Sequence, residues 1–255
     1  MTGRRAALAM LAALALLVVP ACDNAKEPSY QGWIEAELIF VGPDESGRIE
    51  TLTVREGDQV ELRQLLFTLD TELQAADVAM QEAAVKNAQQ AYDRAQQLLA
   101  RQVGTQRTMD EAEAALRTAQ ARLNSAQTRL ARRKVFSPVA GSVQQIYYRG
   151  GELVPAGKPI VALLPPSNLK VRFFVNEATL PKLKFGDPVT IKCDGCGGGI
   201  PAKISFISRT SEFTPPVIYS MEERSKLVFM IEARSERPER LRVGQPVSVV
   251  LGDAQ

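Results

Sequence analysis

From Asp70 to Lys134 the chain carries no proline and one glycine, Gly104, and its apolar residues return at steps of three and four. In the second part of this run Met109, Ala112, Leu116, Ala119, Leu123, Ala126 and Leu130 alternate large and small along a coiled-coil seam. In the first part Val78, Val85, Tyr92 and Leu99 mark one seam position and Ala88 and Ala95 the other, with Gln81 as a polar interruption. The pattern predicts two antiparallel helices of about thirty residues each, a rod of roughly 45 Å at about 1.5 Å per residue. Gly104 is placed to take a left-handed conformation and end the first helix, and Thr108 with Glu111 to form a capping box for the second. Asp70 can cap the first helix, and Ser137-Pro138 stops the second. Two helices bury little surface, so the outward faces are expected to meet partners or sister subunits rather than serve as a plain spacer.

On both sides of the rod the period changes to two. "RIETLTV" and "SVQQIYY" alternate, and each is followed by a glycine turn and a short apolar run, "QLLFTL" and "KPIVALL". Laid together, the stretches from Gly47 and Gly141 align Gly47 with Gly141, Leu52 with Ile146, Arg55 with Arg149, Gly57 with Gly151, Val60 with Val154 and Leu69 with Leu163. Neither half can bury a face alone. The pattern predicts that they clasp each other into one small sandwich, brought together by the hairpin between them.

Beyond residue 168 the strands continue. "NLKVRFFV", "GDPVTIKC", "AKISFIS", "KLVFMIEA" and "GQPVSVVLG" are bounded by turn residues and predict a small β-barrel with one short helix near Glu177 to Leu183. At the other end, Arg4 and Arg5 precede an apolar run from Ala6 to Val19 that is too short to span a bilayer comfortably and reads as an export signal. An ordinary secretory signal with a chance cysteine is the alternative to what the residues after it suggest below.

Charge excludes one class of partner. Removal of residues 1–21 would lower the 31 basic residues to 29, against 29 acidic ones, so no net basic charge is available for a phosphate backbone and nucleic acid is not expected. The basic "RLARRK" from Arg129 to Lys134 fits a helix C-terminus, where cations complement the dipole. Enzymatic chemistry has little to work with: the chain has no histidine, no phosphate-binding glycine loop after a strand and no nucleophile elbow. The pair in "CDGC", Cys193 and Cys196, precedes a loop and a strand rather than a helix, unlike a thioredoxin-type motif. Two cysteines without further ligands make a poor zinc site unless sister chains contribute. In an oxidising compartment a local disulfide between them is expected.

The whole arrangement resembles the periplasmic adaptors, also called HlyD-like membrane fusion proteins. The resemblance implies an α+β fold: a biotinyl/lipoyl-like β-sandwich in two halves, residues 41–70 and 135–168, split by a coiled-coil hairpin over 71–134 and followed by a β-barrel over 169–255. Residues 1–21 would be a lipoprotein signal peptide, and 22–40 a linker with a strand leading into the sandwich. Val19, Pro20, Ala21 and Cys22 resemble a lipoprotein cleavage box with Cys22 as the lipidated residue, and Asp23 resembles an inner-membrane retention signal. Within "RAQQLLARQVGTQRTMD" the family's tip motif falls on Arg94, Leu98, Thr105, Met109 and Asp110, with Thr105 in place of serine, Met109 in place of leucine and Ala95 where a second leucine is common. In the family this tip meets a TolC-like outer-membrane channel. "SEFTPPVIYSMEERSKLVFMIEARS" resembles a subgroup associated with ABC-type exporters, and the chain ends soon after the last barrel strand, which favours an ABC partner over RND or MFS ones. The implied protein is a lipid-anchored adaptor, without cofactor, working as a homo-oligomer of six. No lysine stands at the turn Asp70-Thr71-Glu72 where a lipoyl or biotinyl carrier would need one. An envelope scaffold lipoprotein without a transport role is the competing reading.

Overall fold

The computed structural model describes residues 28–196, 198–213 and 227–252. Cys22, the export signal and all of "TPPVIYSMEERSK" lie outside the described residues. Three parts follow one another in space, a barrel, a sandwich and a helical hairpin, and the strands that build the first two interleave in sequence.

The sandwich is made by the two repeated half-motifs. The first contributes β3 (Gly47–Leu52), β4 (Gln59–Val60) and β5 (Leu65–Leu69), and the second β7 (Gly141–Ile146), β8 (Leu153–Val154) and β9 (Val161–Leu164). With β2 (Ile39–Val41) and β6 (Lys134–Phe136) they form two four-stranded sheets, in the orders β2-β9-β7-β4 and β6-β5-β3-β8. Each half therefore lends its two-residue strand to the other half's sheet. β4 pairs with β7, Val60 opposite Gly141, and β8 pairs with β3, Val154 opposite Gly47.

The exchange is reciprocal down to single hydrogen bonds. Gly57 N donates to Val143 O at 2.9 Å, and Gly151 N to Ile49 O at 2.8 Å. Val143 N donates to Asp58 O at 2.8 Å, and Ile49 N to Glu152 O at 2.9 Å. Gly57 and Gly151 hold φ of +92° and +91°, the left-handed region that glycine enters at no steric cost. The apolar positions of both halves, Ile49 with Val143, Val60 with Val154, Leu66 with Ile160 and Leu69 with Leu163, fill one core. A single half would leave a row of backbone groups and this whole face in water, so the two halves are stable only as a pair.

The barrel is closed, in the strand order β1-β10-β13-β12-β11-β14, from β1 (Ser29–Ala36), β10 (Leu169–Asn176), β11 (Pro188–Lys192), β12 (Ile200–Phe213), β13 (Leu227–Ser235) and β14 (Pro246–Leu251). This corrects the reading of residues 22–40. β1 does not lead into the sandwich; it pairs with β10 on one side and β14 on the other and closes the barrel, so the sandwich strands begin only at Ile39. Closure removes the exposed edges that β10 and β14 would otherwise carry. The helix expected near Glu177 to Leu183 is only a 3-10 turn, Leu180–Lys182, since Pro181 has no N–H to bond back to Glu177.

On the outer wall of the barrel, charges form a ladder across three strands. Lys170 Nζ lies 2.7 Å from both Glu37 and Glu232, and Arg172 lies 2.8 Å from Glu35 and 3.3 Å from Glu232. The hydrogen bond from Lys170, with its charge, holds the Glu37 carboxyl below the usual range. Burial alone would lower Lys170, but its hydrogen bonds to Glu232 and Glu37 and their attraction together raise it.

Candidate docking site at the hairpin tip

The rod consists of α1 (Glu72–Ala100) and α2 (Gln106–Ala131), about 43 Å and 39 Å long at about 1.5 Å per residue. Every residue of the seam read from the sequence is at least half-buried, and Ala95, Leu116 and Ala126 are fully so. The polar interruption is accommodated locally, since Gln81 donates to Asp77 one turn earlier at 3.1 Å.

Where the rod joins the sandwich, an arginine does work that the pattern of charges did not reveal. Arg133 is 6% exposed; its guanidinium donates to Ser46 O at 3.0 Å, reaches Glu45 at 3.5 Å and, with the Gln74 amide oxygen turned inward, bonds Gln74 as well. Arg132 pairs with Asp44 at 3.0 Å and Arg129 with Glu45 at 3.6 Å. The basic run at the end of α2 thus fastens the rod to the 43–46 turn, beyond any interaction with the helix dipole. Asp70 is drawn into the same joint. Its carboxylate accepts from Arg48 N at 3.2 Å instead of capping α1, whose N-cap is Thr71 without a side-chain bond.

At the far end the chain reverses through residues 101–105, by a route that differs from the expected one. The left-handed residue is Gln102, φ +60°, and not Gly104. Gln102 N donates to Leu99 O and Val103 N to Leu98 O, the paired bonds of a Schellman motif with glutamine where glycine is usual. Gly104 is needed for proximity: a Cβ there would stand 3.0 Å from Leu99 N and 3.1 Å from the Leu98 carbonyl carbon. Thr105, not Thr108, is the N-cap of α2, its hydroxyl accepting from Thr108 N at 3.2 Å. Glu111 is engaged with Arg107, one turn back, at 2.9 Å.

These bonds decide what the tip presents. Arg94, Leu98, Thr105 and Asp110 are exposed within the last turns of the rod, and Met109 is half-buried at the end of the seam. Val103, absent from the sequence reading, adds the most exposed apolar side chain of the turn at 72%, beside Leu98 at 47%. The sequence carried no signal for it, because the turn that places Val103 depends on a left-handed Gln102 where glycine was expected. Asp110 accepts from Gln106 at 2.8 Å, which fixes its carboxylate on the outward face, whereas the Thr105 hydroxyl is occupied in capping. The result is a small apolar and charged cluster at the end of a stiff rod. No group of three or more metal-ligating side chains occurs among the described residues, and no described helix is long and apolar enough to cross a membrane.

The fold is thus a two-half sandwich interrupted by a projecting coiled coil and joined to a closed barrel. The chain belongs to the membrane fusion protein family: residues 37–164 match the family model described as "RND MFP, barrel-sandwich hybrid domain". It is similar to the "UPF0194 membrane protein in asrC 5'region" of Acidithiobacillus ferridurans, 33% identical over 127 residues, which cover 47% of this chain and 38% of that protein. A UPF0194 membrane protein of Enterobacter is 27% identical over 48% of this chain and 37% of its own. The matches thus span well under half the length of these curated relatives. Among solved structures, a MacA-MexA chimeric protein containing the Pseudomonas aeruginosa MexA α-hairpin superposes with a TM-score of 0.74 at 24% identity, over 90% of this chain and 83% of that one. The membrane fusion protein Spr0693 of Streptococcus pneumoniae gives 0.69 at 18% identity, over 89% of this chain and all of its own. At these identities the two structures establish the fold.

Proposed function

We propose that the protein is the adaptor subunit of a tripartite efflux or secretion system in the periplasm of a Gram-negative bacterium. The barrel and the sandwich dock on an inner-membrane transporter, and the rod reaches toward the outer membrane, where its tip meets a TolC-like channel. Several copies, six by family resemblance, stand side by side, each held to the inner membrane by lipid on Cys22. An ABC-type transporter is the partner proposed, on the resemblance of residues 211–235 to an ABC-associated subgroup. The family model carries the label RND, so co-purification of a nucleotide-binding subunit is the observation that separates the two. Intact mass without an acyl addition on Cys22 would remove the anchor from this proposal.

The observation that carries the reading is the exposed cluster of Leu98, Val103 and Asp110 at the far end of a rod whose other end is fastened by Arg133. Small clusters of apolar and charged residues dominate many interfaces. Asp110→Arg removes one exposed hydrogen bond to Gln106 and puts a cation near a helix N-terminus, which together cost less than about 1 kcal/mol. The variant is expected to fold normally and to lose export of the compounds the wild type exports, with partial recovery when a compensating charge is placed on the channel. A photo-crosslinker at Val103 leaves the Thr105 cap intact and is expected to capture the channel. Undiminished export by Asp110→Arg, with crosslinks that never reach an outer-membrane protein, would return the rod to a spacer in an envelope scaffold.

A further inference from the structure

The Cys193–Cys196 bridge takes no part in docking, and its two sulfurs are placed unequally. It closes the turn after β11, where Cys196 N donates to Cys193 O at 3.2 Å, the Cα atoms stand 5.4 Å apart and Gly195 supplies the required positive φ of +79°. Cys196 is 7% exposed and packs into the barrel core. Cys193 is half-buried, packing in part on the same core, and also lines an open cavity of about 220 Å³ with Gln31, Lys192, Asp194, Pro246 and Ser248, of which Cys196 is not a lining residue. One polar group reaches the inner sulfur, Gln245 Nε2 at 3.7 Å from Cys196 Sγ, and the Arg240 guanidinium holds the Cys196 backbone carbonyl.

Thiol–disulfide exchange is governed by which sulfur the attacking thiolate can reach and by how well the departing sulfur carries negative charge. Access decides here: only Cys193 borders the cavity, while burial in the barrel core disfavours a Cys196 thiolate and the Gln245 N–H offsets that only in part. We propose that the bridge is a thiol-exchange site opened from one side, in which a thiolate enters the cavity, attacks Cys193 and expels Cys196. With a dithiol as reductant, one thiolate forms a mixed disulfide with Cys193 Sγ as the bond to Cys196 Sγ breaks. The second thiol, deprotonated, then attacks the reductant's own sulfur in that mixed disulfide and releases Cys193 as a thiolate. The reductant leaves as a disulfide, and two electrons have passed to the bridge. The asymmetry is that of a site opened from one side, unlike a bridge sealed in the core, and it rests on no part of the transport reading.

The test uses the full chain under native conditions with two probes, glutathione as a monothiol and dithiothreitol as a dithiol. After quenching with an alkylating agent, peptide mass spectrometry reads which cysteine holds glutathione and which is alkylated. Glutathione is expected on Cys193, with Cys196 alkylated, in excess over the reverse by on the order of tenfold, and dithiothreitol is expected to reduce the bridge without denaturant. As a check independent of the bridge, with Cys22→Ser as the common background, the one remaining thiol of Cys196→Ser is expected to react with a disulfide reagent on the order of tenfold faster than that of Cys193→Ser, the difference vanishing in urea. Equal or reversed labelling, or a bridge that dithiothreitol reduces only in urea, overturns the proposal.

Discussion

Gly57→Ala and Gly151→Ala test whether the two half-motifs are equivalent in energy as well as in pattern. The two glycines share φ within one degree and make matching hydrogen bonds across the sandwich, and a Cβ at either would meet no atom within 4 Å. No steric contact contributes, so only the backbone does. Holding an L-residue in the left-handed region costs about 1–2 kcal/mol, and the lower entropy of alanine in the unfolded chain offsets about 0.4–1 kcal/mol of it. Each substitution is therefore expected to destabilise the sandwich by about 1 kcal/mol and the double variant by about 2 kcal/mol, because separated sites add. For a domain of this size that is a fall in Tm of about 4–8 °C per substitution. The companion pair is expected to behave otherwise. A Cβ on Gly141 would stand 2.5 Å from the Leu164 carbonyl oxygen, which is backbone, whereas on Gly47 it would meet the side chain of Arg133. Gly141→Ala is thus expected to cost well more than the turn glycines. Thermal unfolding by circular dichroism, with urea m-values to check that the transition is unchanged, measures all four. Turn variants that differ from each other by more than about 1 kcal/mol would refute the claim that the repeat is a structural two-fold.

Arg133→Met keeps the apolar stem but removes the charged hydrogen bonds to Ser46 and Gln74, and is expected to cost about 2–3 kcal/mol; an effect below about 0.5 kcal/mol in urea unfolding would show that the joint is held elsewhere. Gln102→Gly relieves a left-handed glutamine and is expected to stabilise the rod by about 1 kcal/mol, read as slower amide exchange at Val103 and Gly104, whose N–H groups bond Leu98 O; faster exchange would contradict the assigned Schellman turn.

Periodicity settled much of this protein, because it reflects local geometry that any packing must respect. The alternation of large and small residues from Met109 to Leu130 named the buried face of α2, and the echo of Gly57 in Gly151 marked two turns with the same backbone. That Leu98, Thr105 and Asp110 would stand exposed at the rod's end was legible too, since they lie within one short stretch of chain around the reversal, although Val103 was missed. What remained hidden depends on contacts between residues far apart in sequence. That β1 closes the barrel rests on its pairing with β10 and β14, whose partners are more than a hundred residues away, and a period of two cannot say which sheet a strand joins. Arg133 looked like one more cation at a helix end until Ser46, Glu45 and Gln74 were brought around it. Asp70 left its capping role for the same reason, claimed by Arg48 across the sheet, whereas the shift of the left-handed residue from Gly104 to Gln102 is local, set by the close approach of Gly104 to Leu98. The unequal setting of Cys193 and Cys196 likewise exists only once the barrel encloses one sulfur and leaves the other at its rim.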